Sequence, residues 1–296
     1  MIKLLRYTGF ACIIVSTMSC RSTRDPYSAP KIAKGDFVSR EDPVARSTVS
    51  IMDKTTSPGE FCTGTLITKF HVLTAAHCFN DRSRKPSVLF SNFYIEGSGP
   101  PPTIEVVWTA IHSQYNESQS AEYDKLIATM TKASEIPNPG RKYYDVAVLK
   151  LAEPAPSNYY PVNFLESMDI LRHSRIVTAG FGCTSNACTA PRNILFKINM
   201  KLEKLFEESG LVVLSASGGQ GSCPGDSGGP DYVMTPGGLE QFGIISTGPS
   251  DCEGGLTVDT LVSTYRSWID MVMTQGAQAQ NDPSVTFLFP ANQISP

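Results

Sequence analysis

Short apolar and alternating runs recur along most of this chain, and polar segments rich in glycine and proline separate them. Short runs bounded by turn-forming residues are typical of the strands of β-sandwiches and β-barrels. The pattern therefore predicts an all-β fold. The runs are Thr48–Met52, Phe61–Ile67, His71–Thr74, Ser87–Tyr94, Thr103–His112, Asp145–Leu151, Arg175–Gly180, Ile194–Lys201, Leu211–Ser215 and Gln241–Thr247.

Composition narrows the class of protein further. The 296 residues have a formal net charge of -3, with 41% hydrophobic and 18% charged residues. Disordered chains are more highly charged and poorer in hydrophobic residues, and nucleic-acid-binding domains are basic. We therefore expect a soluble globular protein without a nucleic-acid partner, long enough to bury a sizeable core.

One proline-bearing connection, Glu153–Pro161, divides the strand runs into two comparable halves. It is the expected boundary between an N-terminal β-barrel over 32–155 and a C-terminal β-barrel over 156–260. An amphipathic helical pattern follows over 261–275. The remaining residues, 276–296, form a tail.

Two segments fall outside this plan. The polar stretch Tyr115–Arg141 contains Lys125–Met130, for which we expect a short surface helix within a long loop. In the tail, Val285–Phe289 has the composition of a strand that could pack back onto the fold. The sequence alone leaves that question open.

The first residues have the pattern of a secretory signal. Lys3 and Arg6 precede a mostly apolar stretch, Tyr7–Met18, which is too short to span a bilayer as a stable helix. We interpret 1–19 as a signal peptide and 20–31 as a propeptide or linker. The mature protein is therefore expected to be secreted or held in the cell envelope.

The end of this signal offers a lipidation candidate. The segment Thr17-Met18-Ser19-Cys20 resembles a bacterial lipobox, in which the cysteine is lipidated and becomes the new N-terminus. Thr17 stands where such motifs usually have leucine. Two interpretations stay open: Cys20 attaches the protein to a membrane through a lipid, or the signal is cleaved nearby without lipidation.

The cysteine count favours an oxidising compartment. Of eight cysteines, Cys12 is lost with the signal and a lipidated Cys20 leaves six: Cys62, Cys78, Cys183, Cys188, Cys223 and Cys252. An even set suits three disulfides, and the alternative is that Cys20 is a free or intermolecular thiol. The cysteines lack C-x2-C spacing and the histidines lack an H-E-x-x-H pair, so we expect no metal.

Three segments contain residues suited to nucleophilic catalysis. The glycines in the segment 225–230 (Gly-Asp-Ser-Gly-Gly-Pro) allow a tight turn whose backbone N–H groups converge on one point. Because the hydroxyl of Ser227 is a poor nucleophile without a base, His77, at the end of a strand run, is the candidate base. Asp145 opens another apolar run and can orient the imidazole. Singly, each residue has an ordinary structural explanation; jointly, they predict a catalytic site.

His77, Asp145 and Ser227, in this chain order and with these flanking segments, resemble the triad of the trypsin/chymotrypsin family of serine endopeptidases. Gly180-Phe181-Gly182 is similar to the family's Gly-Trp-Gly segment. The resemblance covers about 32–274. It implies two packed six-stranded antiparallel β-barrels with a C-terminal helix and with the site between the barrels.

The resemblance also implies roles. His77 would be the general base, Asp145 its orienter and Ser227 the nucleophile, and the N–H groups of Gly225 and Ser227 would form the oxyanion hole. The implied enzyme is a monomer that cleaves protein or peptide substrates without a metal or organic cofactor. Family disulfides match Cys62–Cys78 and Cys223–Cys252, whereas the five-residue spacing of Cys183 and Cys188 indicates a small local loop.

The substrate pocket follows from the same resemblance. Gly221 stands where trypsins have the aspartate that binds Arg or Lys, so a buried cation would lack a partner there. Together with the candidate wall residues Ser246, Thr247 and Gly248, this favours apolar or aromatic residues at P1, the residue whose carbonyl is attacked. The register after the last cysteine is ambiguous, so the alternative is that Asp251 or Asp259 reaches the pocket.

An activation step is a further expectation. Ile32–Val38 resembles the mature start of the family, and Lys31 is a typical cleavage residue. In the family the freed α-ammonium inserts beside the aspartate before the nucleophile, here Asp226, and orders the oxyanion hole. The alternative is that Lys31-Ile32 is part of a linker.

Two further function classes remain as alternatives. A non-catalytic protease homologue would use the same barrels as a binding module, and a structural envelope lipoprotein would use them to hold partners. The first alternative usually lacks a triad residue, and this chain has all three. The second depends on Cys20 alone.

Overall fold

A computed structural model describes residues 34–55, 59–92, 103–188 and 194–288. Within these ranges the strands form two closed six-stranded antiparallel β-barrels followed by a helix, which confirms the predicted fold class. The signal segment, Cys20 and Ile32 lie outside the described residues.

A short strand, β1 (Asp36–Phe37), precedes the first barrel. The barrel strands are β2 (Thr48–Asp53), β3 (Glu60–Thr68), β4 (His71–Thr74), β5 (Pro86–Leu89), β6 (Thr103–His112) and β7 (Ala147–Leu151). Their order around the ring is β2-β3-β4-β7-β6-β5, and β6 closes the ring by pairing with β5 and β7.

A short strand, β8 (Asn163–Phe164), leads into the second barrel. The barrel strands are β9 (Ile176–Gly180), β10 (Phe196–Phe206), β11 (Leu211–Ser215), β12 (Pro230–Thr235), β13 (Gly238–Thr247) and β14 (Leu256–Leu261). The ring order is β9-β10-β11-β14-β13-β12, closed by the β12–β9 pairing. Strand β1 adds to β10, and β8 pairs in parallel with β13.

The barrel interiors contain the β-branched and aliphatic residues of the predicted runs. Val49, Leu66 and Val148 are fully buried in the first barrel, and Val212 and Phe242 are fully buried in the second. Burying each such side chain stabilises the fold by about 1.5–3 kcal/mol. The apolar runs form strands whose side chains together fill the interiors of the two barrels.

Two α-helices occur in the described ranges. Helix α1 (Glu117–Ile127) lies in the segment between β6 and β7, and the Asn116 side chain accepts a hydrogen bond from the Gln119 N–H at its start. Helix α2 (Val262–Gln275) buries Val262, Tyr265, Trp268, Ile269 and Val272 against the first barrel, although it follows the last strand of the second. It therefore links the two barrels.

The expected short helix over Lys125–Met130 differs from what is observed. Helix α1 begins earlier, at Glu117, and ends at Ile127, because its buried side chains Tyr123 and Ile127 lie one turn apart in an otherwise polar sequence. The tail adds a strand, β15 (Val285–Leu288), which pairs with β6.

Short 3-10 turns connect the remaining elements: Pro43–Arg46, Ala76–Phe79, Ala133–Glu135, Met168–His173, Glu207–Ser209, Cys252–Gly254 and Gly276–Asn281. In the ranges that the structure describes, no helix is both long enough and apolar enough to cross a membrane.

Candidate active site

His77 and Asp145 come together because their strands are neighbours. His77 lies in the turn after β4, Asp145 lies just before β7, and β4 pairs with β7 from Thr74 opposite Ala147. Nδ1 of His77 lies 2.8 Å from Oδ2 of Asp145. The backbone N–H of His77 donates to Oδ1 of the same carboxylate, also at 2.8 Å. The carboxylate therefore fixes both the ring and the backbone of His77.

The second barrel completes this pair through Ser246. Its hydroxyl donates to Oδ2 of Asp145 at 2.5 Å. Burial raises the pKa of Asp145, but the charge of His77 and these hydrogen bonds outweigh it, so the net pKa is below its usual value. Burial lowers the pKa of His77, but the charge and hydrogen bond of Asp145 outweigh it and raise the net pKa.

The backbone before Asp145 is strained. Tyr144 has φ 51°, in the left-handed region that a bulky side chain rarely adopts. Its N–H donates to the hydroxyl oxygen of Tyr265 on α2 at 2.8 Å, and its ring lies 4.6 Å from that of His112. Helix α2 therefore holds the corner that presents Asp145 to His77.

The Ser227 turn is fixed to the first barrel by strand β3. The Thr63 N–H donates to the Ser227 carbonyl at 2.9 Å, and the Thr63 hydroxyl donates to the Gly225 carbonyl at 2.8 Å. Gly228 has φ 80°, and a Cβ there would lie 2.9 Å from N of Ala75, two residues before His77. The glycines thus let the serine turn pack directly against the turn that contains His77.

The backbone N–H groups of this turn fall into two sets. Those of Asp226, Gly228 and Gly229 each donate to a protein carbonyl. Among the described residues, none accepts a hydrogen bond from the N–H of Gly225 or Ser227. These are the two donors that the sequence assigns to the oxyanion hole, and both are available to bind a ligand oxygen.

Asp226 is fully buried behind the turn. Its carboxylate accepts hydrogen bonds from the N–H groups of Cys223 and Gly182, each at 2.8 Å. A Cβ on Gly182 would lie 2.7 Å from the Asp226 carboxyl carbon, so glycine is required there. Burial raises the pKa of Asp226 to about 7, although the two N–H groups lower it. No cation pairs with it among the described residues, and Ile32 lies outside them.

A cavity of about 320 Å³ opens beside Ser227. Its lining has no charged side chain and consists of Ser222, Cys223, Pro224, Ser227, Ile245, Ser246, Thr247, Gly248, Pro249, Ser250 and Cys252. Three of the four predicted pocket residues are therefore at the cavity. Gly221 is not: it is buried, and a Cβ there would collide with the Cys252 carbonyl.

The two acidic alternatives for this pocket are placed elsewhere. Asp259 is fully buried, and its Oδ1 accepts hydrogen bonds from the Thr257 hydroxyl at 2.6 Å and from the Ser246 N–H at 3.2 Å. Asp251 is exposed, and its Oδ1 accepts a hydrogen bond from Nδ2 of Asn186 at 2.9 Å. Neither aspartate lines the cavity.

Sequence reasoning missed Asp124 on α1. Its Oδ1 accepts hydrogen bonds from the Thr247 hydroxyl at 2.6 Å and from the Tyr143 hydroxyl at 3.1 Å. The charge of Asp124 also contributes to the raised pKa of His77, after the larger effects of burial and Asp145. Helix α1 thus contacts a residue that lines the cavity, although no residue of the helix is in the lining itself.

All six cysteines of the predicted disulfide set are paired: Cys62–Cys78, Cys183–Cys188 and Cys223–Cys252. Within the described ranges, the metal-ligand types that cluster closely are Cys62, Cys78 and His77. The two sulfurs are joined to each other and therefore offer no thiolate to a metal. His71 and His112 are buried in the first barrel, where burial lowers the pKa of each to about 4.

A larger cavity of about 540 Å³ lies away from this chemistry. Its lining includes Arg40, Arg46, Asn158 and Tyr160, and none of the candidate catalytic residues. The smaller cavity is therefore the relevant one, because Ser227 lies in its lining.

Two six-stranded barrels that bring a His–Asp pair to a glycine-rich serine turn define the chymotrypsin-like class of serine protease folds. The trypsin family model matches residues 38–269, and the chain belongs to that family.

Several relatives cover most of the chain. Chymotrypsin of Phaedon cochleariae is 29% identical over 217 residues, which span 70% of this chain and 70% of that protein. Brachyurin of Leptuca pugilator is 29% identical over 215 residues, 71% of this chain and 86% of that protein. Glucanase inhibitor protein 2 of Phytophthora sojae is 24% identical over 245 residues, 78% of this chain and 76% of that protein. Because one of these names denotes an inhibitor, family membership alone does not establish catalysis.

Proposed function

We propose that this protein is a serine endopeptidase that hydrolyses peptide bonds through an acyl-enzyme on Ser227. The proposal rests on one observation above all: a buried Asp145 carboxylate accepts hydrogen bonds from His77 and Ser246, beside the turn that contains Ser227. A carboxylate held in this way keeps the proton of His77 on Nδ1, which leaves Nε2 free to act as a base.

The mechanism uses only residues of the chain. Nε2 of His77 takes the proton of Ser227 as Oγ attacks the peptide carbonyl, and the N–H groups of Gly225 and Ser227 stabilise the developing oxyanion. The protonated His77 then gives its proton to the leaving amine. A water molecule, deprotonated by the same imidazole, attacks the acyl-enzyme, and His77 then returns that proton to Oγ of Ser227 as the ester bond breaks.

For specificity, we propose apolar or aromatic P1 residues. The cavity beside Ser227 has no charged lining residue, and its volume of about 320 Å³ has room for a large side chain. A Lys or Arg side chain would lose hydration there without gaining a carboxylate partner. The burial of Asp259 and the exposure of Asp251 support this choice.

For maturation, we propose removal of 1–19, a secreted or envelope location, and cleavage between Lys31 and Ile32. The three disulfides fit an oxidising compartment. Cleavage at Ile32 would supply an α-ammonium to the buried carboxylate of Asp226, which otherwise has only backbone donors. A lipid on Cys20 would then hold only the uncleaved chain at a membrane.

The second candidate function is that of a non-catalytic binding module. It is favoured by the similarity to a glucanase inhibitor protein over 78% of this chain. In that case the barrels would bind a protein partner and Ser227 would not react.

Labelling with a fluorophosphonate distinguishes the two, because only an activated serine reacts. We expect the processed protein to be labelled on Ser227, and the label to disappear in Ser227→Ala and His77→Ala. Ser222→Ala is the matched control, since Ser222 lines the same cavity and should not affect labelling. An unlabelled, folded and correctly processed wild-type protein would favour the binding module.

A further inference from the structure

Helix α1 and the residue that follows it are hydrogen-bonded to two residues that line the cavity beside Ser227. The Thr247 hydroxyl donates to Oδ1 of Asp124 at 2.6 Å, and the Ser250 N–H donates to the Ala128 carbonyl just after the helix at 2.9 Å. Thr247 and Ser250 both line the cavity beside Ser227. The helix therefore lies next to the residues that line the cavity, although none of its own residues is in the lining.

Asp124 brings an unpaired negative charge to this border. Its side chain is half-buried, and among the described residues no Lys or Arg forms an ion pair with it. Both hydroxyl donors, Thr247 and Tyr143, bond to Oδ1. Oδ2 has no hydrogen-bond partner among the described residues, and a carboxylate accepts about four hydrogen bonds in total. The group thus retains acceptor capacity for a cation.

The position of Asp124 relates this charge to the substrate. With the P1 carbonyl at Ser227 and the P1 side chain in the cavity, the preceding substrate residues would leave along the Thr247–Ser250 wall. Asp124 is hydrogen-bonded to this wall and acts electrostatically on His77. Nothing in the lining of the cavity itself supplies a charge.

We propose that Asp124 is a specificity-determining residue that binds a Lys or Arg side chain of the substrate, located one to three residues before P1. This inference rests on the proposed endopeptidase function and names its substrate class: peptides with an apolar P1 residue and a cation at P2, P3 or P4. The cation would form a charge-assisted hydrogen bond with Oδ2 of Asp124.

Matched peptides test this proposal in the processed full chain. Each pair has Lys or its neutral isostere norleucine at P2, P3 or P4, with the same aromatic P1 residue. For at least one of these positions, we expect kcat/KM to be about tenfold higher for the Lys peptide. A factor of this size corresponds to the lower end of the range for a hydrogen bond to a charged group, which suits a half-buried site. The ratio should shrink as salt is raised from about 0.1 M to about 1 M.

Asp124→Asn retains an oxygen that can accept from Thr247 and Tyr143 but removes the charge. We expect it to abolish the preference for Lys. A loss through Thr247 or through the pKa of His77 should be the same for the Lys and norleucine peptides and therefore leave their ratio unchanged. Glu122→Gln is the matched control, because Glu122 is on the same helix, its side chain is 78% exposed, and it faces Arg141. It should leave the preference intact.

Each outcome bears on a different claim. Equal losses for Lys and norleucine peptides in Asp124→Asn would show that Asp124 only holds the cavity wall, and would overturn the proposal. No preference for Lys at P2, P3 or P4 in the wild type would overturn it as well. Fluorophosphonate labelling of Ser227 separates these failures from failure of the endopeptidase function. If Asp124→Asn did not fold, a wild-type ratio that did not fall as salt is raised would still overturn the proposal.

Discussion

Among the described residues, fully buried carboxylates occur in two regions, and their net pKa shifts have opposite signs. Between the barrels, the pKa of Asp145 is held below its usual value. Within the second barrel and behind its serine turn, burial raises the pKa of Asp226, Asp231 and Asp259. Because all four are inaccessible to water, the difference lies in their partners.

The first region gathers donors and a titratable base around one carboxylate. His77 provides a ring N–H and a backbone N–H, and Ser246 provides a hydroxyl from the other barrel. When His77 is protonated, the pair also gains a direct charge interaction. Burial there strengthens an interaction that the proposed catalytic mechanism requires.

The aspartates of the second region have polar hydrogen-bond partners, but among the described residues none of them is paired with a cation. Asp231 accepts a hydrogen bond from the Thr178 hydroxyl at 2.5 Å, and Asp259 accepts from Thr257 and the Ser246 N–H. Oδ2 of each aspartate is buried without a donor. Burial is the main cause of the raised pKa of Asp259, and the neighbouring charge of Asp231 raises it further. A proton on one of the two carboxyls would supply a donor to the other and remove the repulsion between their charges.

The largest expected effects come from the first region. Ser227→Ala and His77→Ala should each lower kcat by about 10⁶-fold, with little added loss in the double variant, because the residues act as a unit. Thermal unfolding should change little. Additive losses in the double variant, or wild-type hydrolysis by Ser227→Ala, would contradict the assigned roles.

Replacing a buried aspartate by asparagine probes both regions with the same substitution. Asp145→Asn should lower kcat by about 10⁴-fold, the size known for this exchange in the family, because the imidazole adopts the wrong tautomer. Steady-state kinetics with the peptides used above measure it. An activity loss below about tenfold would show that the Asp145 charge is not needed.

Much of the fold, but only part of this site, follows from the sequence. The strand runs and the family motifs predict the two barrels. A strand that lines a barrel alternates apolar residues facing inward with polar residues facing outward, and this alternation is visible in the local sequence. The contact between Thr247 and Asp124 joins residues 123 positions apart, and α1 is too polar for its pattern to reveal a packed face. The left-handed conformation of Tyr144 could not be predicted either, because the Tyr265 hydroxyl that accepts its N–H is 121 residues away in sequence.

Asp226→Asn tests whether the second region contributes to activity through the oxyanion hole. In the processed protein we expect kcat to fall by about 10²–10³-fold, as for the loss of an oxyanion donor, because the α-ammonium loses its anionic partner. In the chain that retains Lys31-Ile32, the same variant should be more stable than the parent above about pH 7, where the buried carboxylate is ionised.

Asp270→Asn is the control for these measurements, because Asp270 is a half-buried aspartate on α2 that pairs with Arg266 and lies outside both regions. It should change neither kcat nor the pH dependence of stability. Equal activity of processed wild type and Asp226→Asn would remove the activation mechanism and leave Lys31-Ile32 as a linker.

The smallest expected effect concerns the Asp231–Asp259 pair. Because the pKa of both is raised in the folded protein, their contribution to stability is fully present below about pH 4 and is lost as pH rises through the raised values. Asp259→Asn keeps an acceptor for Thr257 and Ser246 and can donate to Asp231. At about pH 8 it should therefore raise the free energy of unfolding by about 1–3 kcal/mol.

Urea unfolding at about pH 4, 6 and 8 measures this change, with Asp270→Asn again as the control. Near pH 4 wild type and Asp259→Asn should differ little, because the shared proton already satisfies the pair. The difference should grow with pH, whereas Asp145→Asn should show no gain in stability at any of these values, since Asp145 is stabilised as the anion. A destabilised Asp259→Asn at pH 8 would mean that the two barrel carboxylates have a cation or donor partner and that the contrast between the regions does not hold.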